Sequence, residues 1–599
     1  MSATRRDLDL AVIGNCEIAA LIDADATIVF ACLPRLDGDP VFCALVDSDR
    51  SPEETGVFGI ELVDCVGKSQ RYVRNTAIVE TIFADANSNR VRIVDFCPRF
   101  RARERIFRPM MIVRLVEPLD GRPVVRVRVR PRFEYGATAP RVARGSHHLS
   151  YQSGEQSFRI TTNASLSAVA DESPCVVDSA IAFVLGPDET IEQAPAALAS
   201  SLLDDTRDYW QDWVRSLAIP FDWQEAVIRA AISLKLCTYE DTGAVLAALT
   251  TSIPENADSG RNWDYRYCWL RDSYFVIQAL NRLGATRTME GYLRFIDRIV
   301  AARGDRYMSP LFSLTGGDEA PERSEPALRG YRGMAPVRVG NHAYLQRQND
   351  VYGAIVLAAA HSFFDERLLS LGDAVQYAQL EALGERAVGV RGTADAGPWE
   401  FRTMERVHTF SAAMCWAGAD RLARIGARLS LAGRAEYWRA RAQEIGAEVL
   451  ERAWNPTVGA FTSSYGGDEV DATALLLPEL GLVAPDDPRF ASTLELIEAE
   501  LKQGEWVYRY RHEDDFGRPE NAFTVCAFWY VNALAMTGRL EEARTQFERL
   551  LSRRTRLGLL SETVDPASGE WWGNFPQTYS LVGVINSAIR LSRPWETAS

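Results

Sequence analysis

The first third of the chain alternates between apolar and polar positions with a period of two. Runs such as VFGIELVD (57–64), RVRIVDF (90–96) and IAFVLG (181–186) place every second side chain on the same face, which is the pattern of a half-buried strand. Because such strands need partners, the pattern predicts an antiparallel β-sandwich over residues 1–190. Within it, residues 110–133 predict a β-hairpin that turns at the Asp-Gly of PLDGRP.

From about residue 194 the apolar positions recur with the spacing of amphipathic helices. Residues 191–221 predict a connecting helix, and residues 222–599 predict a helical domain with no sheet larger than a hairpin. Helical pairs arranged around a ring would place their connecting loops at one end, where a pocket can form. The predicted helical segments begin near Trp223, Asp272, Thr288, Asn341, Leu371, His408, Arg434, Asp471, Pro488, Asn521, Leu540 and Gln577.

The totals for the chain indicate a globular protein with more than one domain. Its 599 residues exceed what one hydrophobic core usually holds, and 47% hydrophobic with 25% charged residues is a typical globular composition. The net charge of −15 argues against nucleic acid or an anionic membrane as a partner. No stretch approaches the length of a transmembrane helix, and the first twenty residues lack the apolar core of a signal peptide.

Cysteine and histidine usage narrows the chemistry further. The ten cysteines stand singly, several inside apolar runs such as FTVCAFW, which favours reduced thiols and a cytoplasmic location. Six histidines without a cluster or an HExxH motif predict no metal site. Because neither a P-loop nor a GxGxxG motif in the right context is present, we also expect no nucleotide cofactor.

The most unusual composition lies in long loops between the predicted helices. GRNWDYRYCWLRD (260–272) combines two Trp and two Tyr with three Arg and two Asp. A core would not select so many charges, because an unpaired buried charge is costly, and a solvated surface would not select four large rings. A wall that binds a polyhydroxylated ligand needs both, since rings stack on C–H faces while Arg and Asp bond hydroxyls.

Two other loops each place a glutamate beside residues that would shape its chemistry. Glu400 follows Gly-Pro-Trp, and Glu562 follows Leu-Leu-Ser. A carboxylic acid against a Trp is desolvated and its pKa rises, as a general acid requires, whereas a second, solvated carboxylate would stay ionised as base or nucleophile. From the residues alone this is a candidate pair, because most of the 81 acidic residues are expected to be surface charges.

Three further groups have both a functional and a plainer interpretation. His408 is either an acid–base group or a helix cap or core partner, and the plainer interpretation is favoured. Asp514 and Asp515 either bind a cation or belong to a solvated loop, and again the plainer interpretation is favoured. For Trp571 and Trp572, a sugar platform and a packed loop are equally compatible with the sequence.

Together these segments make the chain resemble the bacterial family 15 glycoside hydrolases, the relatives of glucoamylases and trehalases. The segments occur in family order and, with LAVIGNCEIAALIDADATIVFACLPRL near the N-terminus, cover nearly the whole chain. The resemblance implies an N-terminal antiparallel β-sandwich followed by a catalytic (α/α)6 barrel. The further segments that carry it are TTSIPE with GRNWDYRYCWLRD, GYRGMAPVRVGNHAYLQRQNDVYG, WVYRY, and GLLSETVDPASGE with GNFPQ.

The resemblance also implies an active site and a reaction. Glu400 corresponds to the general acid and Glu562 to the general base of an exo-acting, inverting hydrolysis that releases β-glucose from non-reducing ends. An inverting pair leaves room for a water molecule, so the two carboxyl groups should lie roughly 6.5–9.5 Å apart. The residues expected to hold the terminal glucose are Tyr265, Trp269, Arg271, Asp272, Trp399 and Arg509.

Three departures from the family pattern leave the substrate open. Phe30 stands where a Trp is usual, Phe401 where fungal relatives carry a second acidic residue, and Asn521 where Gly is common. Trehalose, isomalto-oligosaccharides and malto-oligosaccharides are the candidates, and a cytoplasmic location favours a disaccharide over starch. We expect a small carbohydrate as the partner, and a homo-oligomer is compatible with the sequence.

Two other functions compete with this one. A disaccharide phosphorylase shares the barrel, but phosphorolysis needs no general base, so the presence of Glu562 argues against it. A non-catalytic sugar-binding protein is the third candidate, and the presence of both glutamates in intact loops argues against that.

Overall fold

The N-terminal part of the protein is an antiparallel β domain, as the period-two pattern predicts. It is seen in a computed structural model that describes residues 6–48, 50–51, 54–304 and 306–594. A short helix, α1 (Leu166–Ala170), interrupts the strands. The strands are β1 (Ala11–Gly14), β2 (Ala19–Ile22), β3 (Thr27–Leu33), β4 (Asp39–Phe42), β5 (Val57–Leu62), β6 (Cys65–Tyr72), β7 (Val79–Asp85), β8 (Arg90–Phe96), β9 (Phe100–Ala102), β10 (Arg105–Phe107), β11 (Ile112–Asp120), β12 (Val124–Arg130), β13 (Arg141–Arg144), β14 (His148–Ser153), β15 (Gln156–Thr162), β16 (Cys175–Val176) and β17 (Ile181–Pro187).

Two large sheets make up this domain, and β9 pairs with β10 in a separate two-stranded sheet. The first has the strand order β1-β2-β3-β5-β12-β16, with β4 paired to β3, and the second has the order β13-β14-β15-β17-β11-β8-β7-β6. Apolar side chains from both sheets share one buried core. The other face of the second sheet is covered by helix α2 (Pro195–Arg215), whose Ala199 and Leu202 pack on Val113 and Leu115.

The hairpin predicted for residues 110–133 is wrong. Strands β11 and β12 follow one another across a turn at Gly121, but β11 pairs with β8 and β17 while β12 pairs with β5 and β16 in the other sheet. Burial is the reason: Ile112 and Val116 of β11 and Val125 and Val127 of β12 belong to the core between the sheets. Strands on opposite sheets bury such residues against each other, which strands paired side by side cannot do.

The C-terminal part is helical, and each predicted segment contains a helix. The segments near Asn341 and Asp471 begin with 3-10 turns, His342–Leu345 and Ala472–Leu476, before their α-helices start. The helices are α3 (Gln224–Leu236), α4 (Leu270–Arg282), α5 (Thr286–Arg303), α6 (Asp350–Phe364), α7 (Ala374–Val390), α8 (Thr409–Arg428), α9 (Ala432–Arg452), α10 (Leu477–Leu480), α11 (Pro488–Leu501), α12 (Thr524–Met536), α13 (Leu540–Arg553) and α14 (Thr578–Leu591).

Alternate helices pack in a closed series. Helix α4 contacts α6, α6 contacts α8, α10 and its preceding 3-10 turn connect α8 to α12, α12 contacts α14, and α14 returns to α4. Helices α3, α5, α7, α9 and α13 pack against members of this series. The helices α4, α8 and α14 directly follow the loops with residues 260–272, Glu400 and Glu562, and α6 and α12 follow two other segments that carry the resemblance, so the packing brings these loops to the same end of the domain.

Short strands pair within these loops. Ala522–Phe523, Thr563–Val564 and Trp571–Trp572 form a three-stranded ribbon. The prediction that no sheet larger than a hairpin occurs among the helices is therefore wrong at this point. Each strand has only two residues, and the ribbon joins the Glu562 loop to the loop before α12.

The two domains contact each other through ion pairs to the partly buried Glu240. Arg99 of the β domain donates to both carboxylate oxygens of Glu240 (2.8 and 2.7 Å), and Lys235 at the end of α3 donates to one of them (2.6 Å). Arg266 donates to the carbonyl of Gly38 (2.8 Å) and so rests the 260–272 loop on the β domain. All ten cysteines are unpaired. Within the described part of the chain, no helix has both the length and the apolarity needed to cross a membrane.

Candidate active site

The predicted sugar-binding residues converge on one open cavity at the loop end of the helical domain. Aromatic rings and charged side chains line it together, as expected from the composition of residues 260–272. The predicted site residues that line the cavity are Tyr265, Trp269, Arg271, Asp272, Trp399, Glu400 and Arg509. The remaining one, Glu562, is fully buried and lies behind Tyr265.

Glu400 occupies a tight turn. Its φ of +61° lies in the left-handed region, which non-glycine residues adopt only when their surroundings hold them there. The turn closes with two backbone hydrogen bonds, from the N–H of Glu400 to the carbonyl of Gly397 (3.2 Å) and from the N–H of Phe401 to the carbonyl of Ala396 (3.1 Å). These bonds present the Glu400 side chain to the cavity.

One oxygen of the Glu400 carboxyl group receives three hydrogen bonds. Oε1 accepts from the indole Nε1 of Trp269 (2.6 Å), from Nε2 of Gln348 (3.1 Å) and from Nη2 of Arg271 (3.4 Å). An oxygen that accepts from three donors is a poor place for a proton. The proton of a neutral Glu400 therefore belongs on Oε2.

Arg271 and Asp272 stand in the first turn of α4. The buried Arg271 guanidinium donates to Oε1 of Gln348 (2.9 Å) and to Oδ2 of Asp350 (3.0 Å) in addition to Glu400. Burial raises the pKa of Asp272 to about 7; the positive charge of Arg271 opposes this rise, and the carboxylates of Glu400 and Asp350 add to it. Asp272 therefore remains a hydroxyl acceptor when ionised and becomes a donor as well when protonated.

Glu562 was expected to be the solvated carboxylate, and that expectation is wrong. Its side chain is buried, Oε1 accepts from the Tyr265 hydroxyl (2.6 Å), and Oε2 accepts from the N–H of Asn574 (3.0 Å). Gly573 closes the other side, because a Cβ atom there would lie only 2.5 Å from Oε2. Burial and the nearby negative charge of Glu255 raise the pKa of Glu562 to about 8, and the Tyr265 hydrogen bond opposes that rise.

Glu255 is a cavity residue that the sequence reasoning missed. It ends the TTSIPE segment and is 5% exposed. One oxygen accepts from Nε1 of Trp263 (2.9 Å) and the other from Nη2 of Arg509 (2.7 Å). Its position could have indicated a cavity residue, because Glu255 lies just before residues 260–272, in a loop whose composition was already unusual.

The opposite wall is built from the loops before α8 and α12. The indole of Trp399 donates to Asp471 (2.9 Å), and Phe401 contributes an apolar surface. Glu513 and Gly517 of the Asp514 loop are exposed, but the Asp514 side chain itself is 4% exposed, and both of its oxygens accept from Arg261. Asp515 accepts from backbone N–H groups of the Glu400 loop. Among the described residues, no cluster of three or more His, Cys, Asp or Glu side chains could hold a metal ion.

Several singled-out residues lie outside the cavity wall. His408 precedes α8 and is buried; its side chain makes no capping bond, and both ring nitrogens lack a hydrogen-bond partner in the described structure. Trp572 is buried against Tyr331 and Trp571 packs on Trp506, so the packed-loop interpretation holds for both. Phe30 is buried on strand β3.

Comparisons with known proteins identify the family of the chain. The model for "Glycosyl hydrolases family 15" matches residues 222–589, and the model for "Trehalase-like, N-terminal" matches residues 3–181. The chain belongs to glycosyl hydrolases family 15. Its β domain and its helical domain correspond to the two matched regions, and its enzyme class is that of a glycoside hydrolase.

Relatives within family 15 extend along nearly the whole chain. A trehalase of Thermoplasma volcanium is 31% identical, with 97% of this chain and 92% of the relative covered. A trehalase of Mycobacterium tuberculosis is also 31% identical, with 98% and 90% covered. A crystal structure of a bacterial glucoamylase complexed with acarbose superposes with a TM-score of 0.65 at 12% identity, over 99% of this chain and 94% of that one. That likeness shows a shared two-domain fold.

Proposed function

We propose that this family 15 hydrolase releases terminal glucose from a small α-glucoside and that trehalose is its preferred substrate. Relatives that match almost end to end are named trehalases, which supports this choice. The main support for the proposal is the geometry of two aromatic residues. Tyr265 binds Glu562, Trp269 binds Glu400, and the two rings contact each other with centroids 5.4 Å apart, so one aromatic pair supports both carboxyl groups.

The same proposal includes the architecture of the catalytic domain. Helices α3 to α14 would form an (α/α)6 barrel, with α4, α6, α8, α10, α12 and α14 on the inside. Two features support it: the closed series of contacts among these helices, and the position of the cavity at their N-terminal ends. The β domain supports the floor of the cavity through Arg266.

In the proposed mechanism, Glu400 acts as general acid. Its Oε2 carries a proton and gives it to the glycosidic oxygen while the bond from that oxygen to the anomeric carbon breaks. The leaving sugar then departs as a neutral alcohol. Arg271 and Asp272 bind the hydroxyls of the terminal glucose, and the Tyr265 and Trp269 rings face its C–H surface.

Glu562 acts as general base in this mechanism. Water passes Tyr265, gives a proton to the Glu562 carboxylate, and attacks the anomeric carbon from the face opposite the leaving group, so the configuration inverts. Glu255 also lines the cavity, but its carboxylate is paired with the Arg509 guanidinium, whereas both hydrogen-bond donors to Glu562 are neutral groups. The carboxyl separation of roughly 6.5–9.5 Å stays a prediction of this mechanism.

One experiment tests the reaction, the stereochemistry and the substrate together. The protein is incubated with trehalose, isomaltose, maltose and soluble starch, and the anomers formed are followed by NMR. Inversion gives β-glucose from α-glucosyl fluoride and equal amounts of α- and β-glucose from trehalose. α-Glucose as the first product from the fluoride contradicts the mechanism. Glucose 1-phosphate formed only with added phosphate would indicate a phosphorylase, and sugar binding without turnover would indicate a non-catalytic protein.

A further inference from the structure

Two glutamine side chains connect Arg271, a proposed glucose-binding residue, to the loop of Glu400, the proposed acid. Gln348 is fully buried, and Gln346 lies next to it on the cavity wall. Nε2 of Gln346 donates to the carbonyl oxygens of Glu400 (3.0 Å) and Phe401 (3.2 Å). Both carbonyl groups lie at the C-terminal end of the left-handed turn.

The hydrogen bonds fix the orientation of both amides. Oε1 of Gln348 accepts from Arg271, which can only donate, so Nε2 of Gln348 must point the other way. That nitrogen donates to Oε1 of Gln346 (3.0 Å) and to Oε1 of Glu400 (3.1 Å). Nε2 of Gln346 is then left to donate to the two carbonyls, and neither amide can flip without losing these bonds.

The two amides therefore act on Glu400 from two sides. Gln348 occupies the Oε1 oxygen, and Gln346 holds the peptide carbonyls of a backbone conformation that a glutamate does not adopt freely. A backbone hydrogen bond from the N–H of Ala396 to the carbonyl of Arg347 (2.9 Å) also joins the loop of the two glutamines to the Glu400 loop.

We infer that Gln346 and Gln348 are positioning residues that hold Glu400 so that its proton sits on Oε2 and faces the leaving oxygen. This inference rests on the proposed function, because it assigns a task only if Glu400 is the acid. It predicts a specific defect. Loss of the amides should lower the turnover of substrates whose leaving group needs a proton, and it should leave the turnover of a substrate whose leaving group does not need one nearly unchanged.

The test is Gln346→Leu, which keeps the approximate size of the side chain and removes its donors. Trehalose needs protonation of its leaving sugar, whereas α-glucosyl fluoride needs little. We expect kcat for trehalose to fall about 10- to 100-fold, since misplacing a catalytic group by an ångström costs about that much. We expect kcat for the fluoride to stay within about threefold and KM for trehalose to change little. Fluoride turnover also reports that the variant is folded.

Gln546→Leu is the matched control. Gln546 is equally an amide that donates to a backbone carbonyl, that of Glu505, but it lies on α13 away from the cavity. Both substrates should be turned over by this variant as by the wild type. If Gln346→Leu does not fold, Gln346→Asn is measured in the same way, because it keeps an amide that is too short to reach both carbonyls.

An equal loss on trehalose and fluoride would overturn the inference, and so would an effect confined to KM, since that would make Gln346 a sugar contact. Failure of the proposed function is separate and visible in the wild type: turnover of maltose but not trehalose would change the substrate. The loss of kcat on that substrate, compared with the loss on the fluoride, would then show whether Gln346 positions Glu400.

Discussion

Glu400 on the cavity wall and Glu562 behind Tyr265 lie on two loops that give the same type of side chain different surroundings. The Glu400 loop leaves the side chain 23% exposed and directs three donors at one oxygen of its carboxyl group. The Glu562 loop buries the carboxyl group, gives each oxygen a single donor, and places it near another carboxylate. Environment rather than residue type therefore distinguishes the two carboxyl groups, and the proposed mechanism assigns the acid to Glu400 and the base to Glu562.

The strongest test of this comparison removes each carboxyl group in turn. Glu562→Gln should lower the turnover of trehalose and of α-glucosyl fluoride by about 10³-fold or more, because both reactions need a base. Glu400→Gln should lower trehalose turnover by about 10²- to 10⁴-fold but reduce fluoride turnover less than about tenfold. Steady-state rates on both substrates give the comparison.

Glu381→Gln is the matched control for Glu400→Gln. Glu381 on α7 also accepts from a Trp indole, that of Trp438 (2.7 Å), and from an Arg, Arg434 (2.7 Å), but it lies outside the cavity wall. Its replacement should leave both activities intact. Equal losses on both substrates for Glu400→Gln would contradict its role as the acid.

The next largest effect is expected at Asp272, which the proposal assigns to binding of the glucose hydroxyls. Asp272→Asn should lower kcat/KM for trehalose by about 10²-fold, because a hydrogen bond to a charged group in a buried site is worth about 1.5–3 kcal/mol. The melting temperature should change little, since the carboxyl group has no described ion pair shorter than 3.8 Å. Normal kcat/KM in a folded variant would remove Asp272 from the glucose site.

A smaller effect concerns pH. Glu562 must be ionised to accept a proton, and its pKa is raised to about 8, so kcat/KM should fall as the pH drops below that value. Glu255→Gln removes a neighbouring negative charge, so the pKa of Glu562 should fall and the acid limb should move to lower pH. Asp272 titrates in a similar range, but Glu255 is not among the groups that shift its pKa.

Profiles of kcat/KM against pH for the wild type and Glu255→Gln measure this shift, with Glu381→Gln as control. If kcat/KM falls at the same pH on the acid side in the wild type and in Glu255→Gln, the ionisation of Glu562 does not cause that fall.

The smallest effect concerns stability at the edge of the Glu400 loop. Burial lowers the pKa of His408 to about 4, whereas an unfolded chain keeps it near 6.5. The unfolded state therefore binds the proton more readily, and stability contributed by the neutral ring is lost as the pH falls below about 6.5. For this residue the loss at pH 5 should be about 2 kcal/mol relative to pH 7.5.

His408→Phe should remove this loss, because a Phe ring has no proton to gain. Unfolding in urea at pH 5 and pH 7.5 gives the difference for each protein. An unchanged pH dependence in the variant would show that His408 does not titrate in this range.

Much of the fold followed from local patterns. Period-two and helical runs predicted the β domain and every helical segment from Trp223 to Gln577, because these periodicities report which face of each element is buried. The composition of residues 260–272 predicted a ligand-binding wall, and several side chains of that stretch line the cavity, whereas the roles that the resemblance implies for Glu400 and Glu562 stay predictions. All of these signals are carried by neighbouring residues, so one sequence is enough to show them.

What only the tertiary structure decided are the properties that depend on residues distant in the chain. The sheet partners of β11 and β12 depend on a core assembled from both sheets, so the local Asp-Gly signal could not reveal them. The burial of Glu562 comes from Tyr265 and Gly573, and the charge beside it comes from Glu255, some three hundred residues away in the sequence. Solvation and electrostatics sum over everything that folding brings near a group, and a linear pattern does not contain that sum.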